Sequence, residues 1–231
     1  MADDHGGALA AKAQAAWRQR PARKQVGGGA KRGPVRGGGS SSTPVDGSTY
    51  NIWYHKRVGE RQSKPGPATT RCSLVKDAGY TKARQASGAF ICYKFAKGCC
   101  PLGANCTYLH DLPDAQFDRE LDRVRDCFGR ERFADQREDQ GGVGCFTSDD
   151  ETQRTLFVGG VPSAKNIEKE IRRQFGEWGE LEHVGCYPER AYAFVRYKLR
   201  SQAEFAKVAM ADQSLIGADA INVRWCDRNK G

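Results

Sequence analysis

The 231-residue sequence has no long hydrophobic run. No stretch approaches the ~20 apolar residues that a bilayer-spanning helix needs, so no membrane partner is expected. The first residues, MADDHGGALAAKAQAAW, lack a basic start followed by an apolar core, and no secretory signal is expected there. An even, dispersed disulfide framework is missing too: the nine cysteines are odd in number and clustered. Without an export signal, clustering favours metal binding in a reducing compartment over disulfides. The H-x-E and P-C-x-x-C pattern of zinc deaminases does not occur.

What is present is positive charge, placed unevenly. The formal net charge is +9, of which residues 51–110 contribute +8 and residues 111–153 contribute −7. The most basic block is also the cysteine-rich one. A concentrated basic block beside a metal motif points to a polyanion, and nucleic acid is the expected partner. The alternative is a solvated, solubilising face.

Length allows one or two domains plus tails. Residues 1–49 form a Gly/Arg-rich tail without apolar period (GGGAKRGPVRGGGSSSTP), expected to be disordered or ordered by a partner. Residues 50–90 open with the aromatic YNIWYHKRV and read as a small, irregular, basic loop-and-strand module. Residues 113–153 read as a helical, acidic connector. A helix is expected over 113–128, with Pro113 near its start, Asp114 as cap and Phe117, Leu121 and Val124 on one stripe. Phe128, Phe133, Val143 and Phe146 are expected to pack, ordering the connector.

Residues 154–228 show a βαββαβ pattern. Strands are expected at 155–161, 181–187, 191–197 and 221–226. Helices are expected at 166–178, with Ile167, Ile171, Phe175 and Trp178 on one stripe, and at 201–212, with a serine cap. The fold class is therefore α+β: a small irregular module and finger, joined by the connector to a ferredoxin-like C-terminal domain.

Between the basic module and the connector, residues 91–112 carry four cysteines and a histidine in CYKFAKGCCPLGANCTYLH. Cys92, Cys100, Cys106 and His110 give C-x7-C-x5-C-x3-H, the CCCH spacing of RNA-binding zinc fingers. Cys100 rather than Cys99 satisfies the x5 gap. One structural Zn2+ is expected, because four protein ligands leave no open position for water. Tyr93, Phe95 and Tyr108, with Lys94 and Lys97, are candidates for base stacking and phosphate contact. For Phe95 and Tyr108, packing over the metal is an equal alternative.

LFVGGV (156–161) fits the RNP2 hexamer, and RAYAFVRY (190–197) fits the RNP1 octamer except that Ala191 stands in the usual glycine place. Alternation puts Phe157, Tyr192 and Phe194 on one sheet face as a base-stacking platform. Arg190 is expected at its edge, and Trp225 or Arg224 to extend it. A protein-binding role for this face is the alternative.

The order of NIWY, a basic module, the CCCH spacing, DCFGRERFADQREDQGGVG and an RNA-recognition module resembles the splicing factors of the Cwc-two type, over about residues 50–227. The resemblance implies a Torus module at 50–90, with Trp53, Arg71, Lys82 and Arg84 as candidate RNA contacts. It implies a nuclear, non-enzymatic protein that contacts U6 small nuclear RNA and pre-mRNA intron. It implies membership of the nineteen complex and a part in arranging the catalytic RNA. No small-molecule substrate is expected. A general single-stranded RNA-binding regulator of mRNA processing or turnover is the alternative. An enzyme is disfavoured, since the carboxylates of 111–153 are scattered among arginines.

Overall fold

The computed structural model describes residues 16–25, 67–86, 88–132 and 153–226, and the backbone of 50–51 and 56–57. Trp53, Phe133, Val143 and Phe146 lie outside the described residues.

Two two-residue strands, β1 (Tyr50–Asn51) and β2 (Lys56–Arg57), pair antiparallel. Short helices follow at α1 (Leu74–Asp77) and α2 (Tyr93–Ala96), with 3₁₀ turns at Lys82–Gln85 and Gly103–Asn105. Helix α3 covers only Ala115–Glu120, not the whole of 113–128. Asp114 does cap it, accepting from Phe117 N at 2.8 Å. It stops early because aspartates beyond it capture the backbone. Asp122 accepts from Arg125 N at 2.6 Å, and Asp126 accepts from Phe128 N at 3.0 Å and Arg130 N at 2.8 Å. Such local bonds compete with helix formation. Val124, placed on the helical stripe by its spacing, is exposed.

The C-terminal unit is β3 (Thr155–Gly159), α4 (Ile167–Gly176), β4 (Leu181–Tyr187), β5 (Tyr192–Tyr197), α5 (Arg200–Ala209) and β6 (Asn222–Trp225). The antiparallel sheet has the order β4-β5-β3-β6, with β3 and β5 central. One sheet face is buried under the two helices: Leu156, Val158, Val184, Ala193 and Val195 point into that core with Ile171, Phe175 and Phe205. The other face carries the alternate residues, as period-two patterning requires. The α+β class and ferredoxin-like topology are as the sequence leads one to expect. The serine cap is not: α5 begins at Arg200, and the hydroxyl of Ser201 donates instead to Asp118 at 2.5 Å.

That bond is one of several that fix the connector across α5. Gln202 Nε2 donates to the Pro113 carbonyl at 3.1 Å, and Arg200 Nη2 to the Asp122 carbonyl at 2.9 Å. The buried Glu204 accepts from Cys127 N at 2.8 Å and lies 3.3 Å and 3.4 Å from the guanidinium nitrogens of Arg200 and Arg132. Phe205 meets both the finger and the connector, with ring centroids 6.1 Å from Phe95 and 6.2 Å from Phe128. Finger, connector and sheet domain therefore share one core.

The reading of all of 1–49 as tail needs correcting. Residues 16–25 run as a strap over the cysteine-rich region. Arg18 pairs with Asp111 at 2.5 Å and Asp114 at 2.6 Å. The guanidinium of Arg20 binds the last carbonyls of α1, reaching Ala78 at 3.0 Å and Leu74 at 3.3 Å, as well as Val75. Ala22 N donates to the Tyr80 carbonyl at 3.0 Å and Tyr80 N to the Arg20 carbonyl at 2.8 Å. A Cβ on Gly79 would stand 2.5 Å from Ala22 N, so only glycine admits this approach. The strap has no apolar period and is held by paired polar groups, which single-sequence patterning does not detect.

Candidate metal centre and nucleic-acid face

Cys92 ends the approach to α2 and its sulfur accepts from Phe95 N at 3.4 Å. The chain then turns at Gly98, whose φ of 76° and close approach to the Arg71 backbone both demand glycine. It continues through Cys100 and the Gly103–Asn105 turn to Cys106, and on to His110. This path brings Cys92, Cys100, Cys106 and His110 together, with ligand atoms all within 4.8 Å of one another and all four residues buried. The sulfurs of Cys100 and Cys106 are 3.9 Å apart. Cys99, adjacent in sequence, is partly exposed and stands outside the group.

The donor set fits a metal ion on its own chemistry. His110 is 1% exposed, yet neither ring nitrogen has a hydrogen-bond partner. Burying polar atoms unpaired is costly, so a ligand role accounts for them. Burial holds the imidazole down at about 4, with Asp77 pulling back slightly, so the ring is neutral and free to ligate at physiological pH. Burial pushes the Cys92 thiol up to about 12, with Cys106 and Cys100 adding to the rise, and burial raises that of Cys106, with Cys100 adding and Cys92 opposing. Three buried sulfurs and an unpaired imidazole in one space form the donor set that a soft divalent cation takes.

Gln25 supports the centre from the strap. Its Oε1 accepts from Cys100 N at 2.8 Å, and its Nε2 donates to the Phe95 carbonyl at 3.1 Å and to Asp77 at 3.2 Å. Its own N donates to the Cys100 carbonyl at 2.8 Å. No spacing rule connects residue 25 to residue 100, so the sequence reading missed it.

Around the finger, the candidate RNA contacts separate. Phe95 is fully buried and stacks on His110 at 4.6 Å between centroids, so it belongs to the mini-core and offers no surface to a base. Tyr108 is exposed, as are Lys94, Lys97 and Lys82. Tyr93 is partly exposed, with Lys97 Nζ and the Arg130 guanidinium each 5.1 Å from its ring centre. Arg84 is exposed but donates to the Arg18 carbonyl of the strap. Arg71 faces inward: it bonds Glu177 at 2.9 Å, Gln174 at 3.1 Å and Met210 sulfur at 3.5 Å, over the Trp178 ring. It joins the basic module to the sheet domain instead of presenting a cation to a polyanion.

On the sheet, Phe157 lies 5.5 Å from Tyr192 and 5.8 Å from Phe194 between ring centres, and the last two are 5.4 Å apart. All three are half-buried on the face away from the helices. Arg190 is exposed in the 3₁₀ turn at the strand end. Trp225 does not join them. It pairs with Leu156 on the helix side and is 8% exposed, so on β6 the outward residue next to Phe157 is Arg224. An odd offset along β6 decides this, because neighbouring residues of a strand face opposite ways.

Comparison with known proteins matches the Torus domain family over residues 17–130, a span that begins within the strap. The pre-mRNA-splicing factor CWC2 of Pyricularia oryzae is 42% identical over 212 residues, covering 90% of this chain and 51% of its own length. The cwc2 splicing factor of Dictyostelium discoideum is 44% identical over 184 residues, covering 78% and 34%. The cwf2 splicing factor of Schizosaccharomyces pombe is 40% identical over 213 residues, covering 90% and 52%. The chain thus spans about half or less of the length of these relatives.

Proposed function

Since the chain belongs to the Cwc2 family of pre-mRNA-splicing factors, we propose that it is a nuclear, non-catalytic RNA-binding protein of the splicing machinery. The observation that carries this reading is the half-buried ring triad Phe157, Tyr192 and Phe194 on a sheet whose helices cover only the opposite face. Flat rings on an open sheet stack unpaired bases, each worth about 1–3 kcal/mol. Arg190, Arg224, Lys94 and Lys97 supply positive charge for phosphates, and in the sequence the finger lies within the most basic block of the chain.

The ion we assign is one structural Zn2+ on Cys92, Cys100, Cys106 and His110. Tetrahedral Zn–S bonds of about 2.3 Å place sulfurs about 3.8 Å apart, and the Cys100–Cys106 separation of 3.9 Å agrees. Bound zinc would supply a rigid four-way crosslink in a region with little apolar core. The chain's own residues do the rest: Gln25 fixes the Cys100 loop, Phe95 holds the His110 ring, and Phe205 seats the finger on the sheet domain.

In this reading the RNA partners are U6 small nuclear RNA and pre-mRNA intron, the protein neighbours belong to the nineteen complex, and binding helps the catalytic RNA adopt its active arrangement. Crosslinking in nuclear extract followed by RNA sequencing tests it. Crosslinks in U6 and in introns, lost in a Phe157→Ala, Tyr192→Ala variant, are expected. Crosslinks confined to 3′ ends of mature mRNAs would replace the splicing role with a general regulatory one.

A further inference from the structure

Strand β4 forms the outer edge of the sheet, beside β5. Its outward residues are His183, Gly185 and Tyr187, paired with Arg196, Phe194 and Tyr192 of β5. Neither RNP hexamer nor RNP octamer includes this strand. Tyr187 is 48% exposed, and its ring centre lies 5.2 Å from that of Tyr192 and 6.2 Å from that of Phe194. The aromatic surface that starts at Phe157 on β3 therefore continues across β5 onto β4 without a gap.

Gly185 explains how the fourth ring joins it. A Cβ built there would lie 3.5 Å from Tyr187 Cε2, 3.7 Å from its hydroxyl oxygen and 3.5 Å from His183 Nε2. The phenol and the imidazole thus lean from two sides over a stretch of backbone that has no side chain. Two groups able to donate or accept hydrogen bonds converge beside flat rings. The outward positions from Phe157 to Tyr187 hold rings, glycines and polar groups, and no aliphatic side chain. Glu182, near this edge, is paired with Arg154 at 3.1 Å and Arg196 at 3.3 Å, so its charge is compensated.

We propose that Tyr187, with His183 at its side, is an additional nucleotide position at the β4 edge, taking one unpaired base of the RNA strand that crosses the RNP rings. A base stacks on the phenol ring, while His183 Nε2 and Tyr187 Oη are left to meet the sugar or phosphate groups beside it. The absence of aliphatic groups and the net positive chain favour RNA over a protein occupant. This rests on the RNA-binding reading above and extends the footprint by one nucleotide.

Oligouridylates of three to six nucleotides test it, titrated into the zinc-loaded full chain and into Tyr187→Ala, Gly185→Val and Phe157→Ala. Valine suits a strand, and a Cβ at this position is in ordinary contact, so Gly185→Val keeps the fold while lifting the Tyr187 ring. Both β4 variants should keep trinucleotide affinity and lose about 5- to 150-fold on the longer oligomers. Equal loss at every length, or no loss at any length while Phe157→Ala abolishes binding, overturns the β4 position and leaves the RNA reading standing. Failure of the wild-type chain to bind any oligomer overturns the RNA reading itself. Loss of a co-purifying splicing protein with RNA affinity intact would assign the edge to protein and also overturn the proposal.

Discussion

Replacing Ala191 by glycine should stabilise the protein. Ala191 stands where the RNP1 pattern has glycine, and its backbone is left-handed, at φ 55° and ψ 35°. The turn enforces that conformation. Its N–H closes the Pro188–Arg190 turn on the Pro188 carbonyl at 3.0 Å, and its own carbonyl accepts from Gly160 N at 2.9 Å and Val161 N at 3.0 Å. These bonds tie the RNP1 strand to the end of the RNP2 strand, so the backbone cannot relax without losing them. A left-handed L-residue costs about 1–2 kcal/mol. Glycine removes that cost but makes the unfolded chain looser, returning about 0.4–1 kcal/mol. The net gain should be about 0.5–1 kcal/mol, or about 1–4 °C in Tm for a chain of this size. Urea and thermal unfolding of the zinc-loaded protein, followed by circular dichroism, measure it. An Ala191→Gly variant that is less stable than the parent would refute the argument that this turn is strained.

Three further outcomes follow from the centre and the joint. Zinc binding at pH 6–8 should release at least two protons, from the Cys92 and Cys106 thiols that burial keeps protonated, and none from His110, which is already neutral there. Apparent affinity should therefore fall at least about 100-fold per pH unit of acidification, read by competition with a chromophoric chelator; a slope below two protons would refute the protonated thiols. Gln25→Ala leaves the Cys100 N–H buried without its partner and should cost about 1–3 kcal/mol, with faster zinc loss to chelator; an unchanged release rate would show that the strap does not support the centre. Arg71→Ala should lower stability by about 1 kcal/mol, since its ion pair is half-exposed, and leave the salt dependence of RNA binding unchanged. A slope shallower by about 0.7 would make Arg71 a phosphate contact after all.

Much of this was legible because two signals are strictly local. Alternation along β3 and β5 sorts inward from outward residues, and the C-x7-C-x5-C-x3-H spacing brings four ligand atoms into one small loop. What stayed hidden depends on partners distant in sequence. The strap is polar and unpatterned, and only Asp111, Asp114 and the Cys100 loop give it a place. Trp225 looks like a platform residue until the pairing with Leu156 fixes its side of the sheet. The helix expected through residue 128 fails because aspartate side chains after Glu120 outcompete the helical bonds. Arg71 reads as a basic RNA contact, and its true neighbours lie about a hundred residues further on. Tyr187 belongs to no named motif, yet the register places it beside the RNP rings.

The strap also has a consequence for how the protein is made. Residues 16–25 leave the ribosome before everything they touch. Gln25 cannot meet Cys100 until 75 more residues have been added, nor Arg18 meet Asp111 until 93 have. Its docking is therefore a late, long-range event in a chain that emerges N-terminus first. The cysteine loop must be shaped before the strap has anything to bind. An N-terminal fluorophore would then report completion of the metal site during synthesis, and starving a translating extract of zinc should leave that signal in its unfolded state.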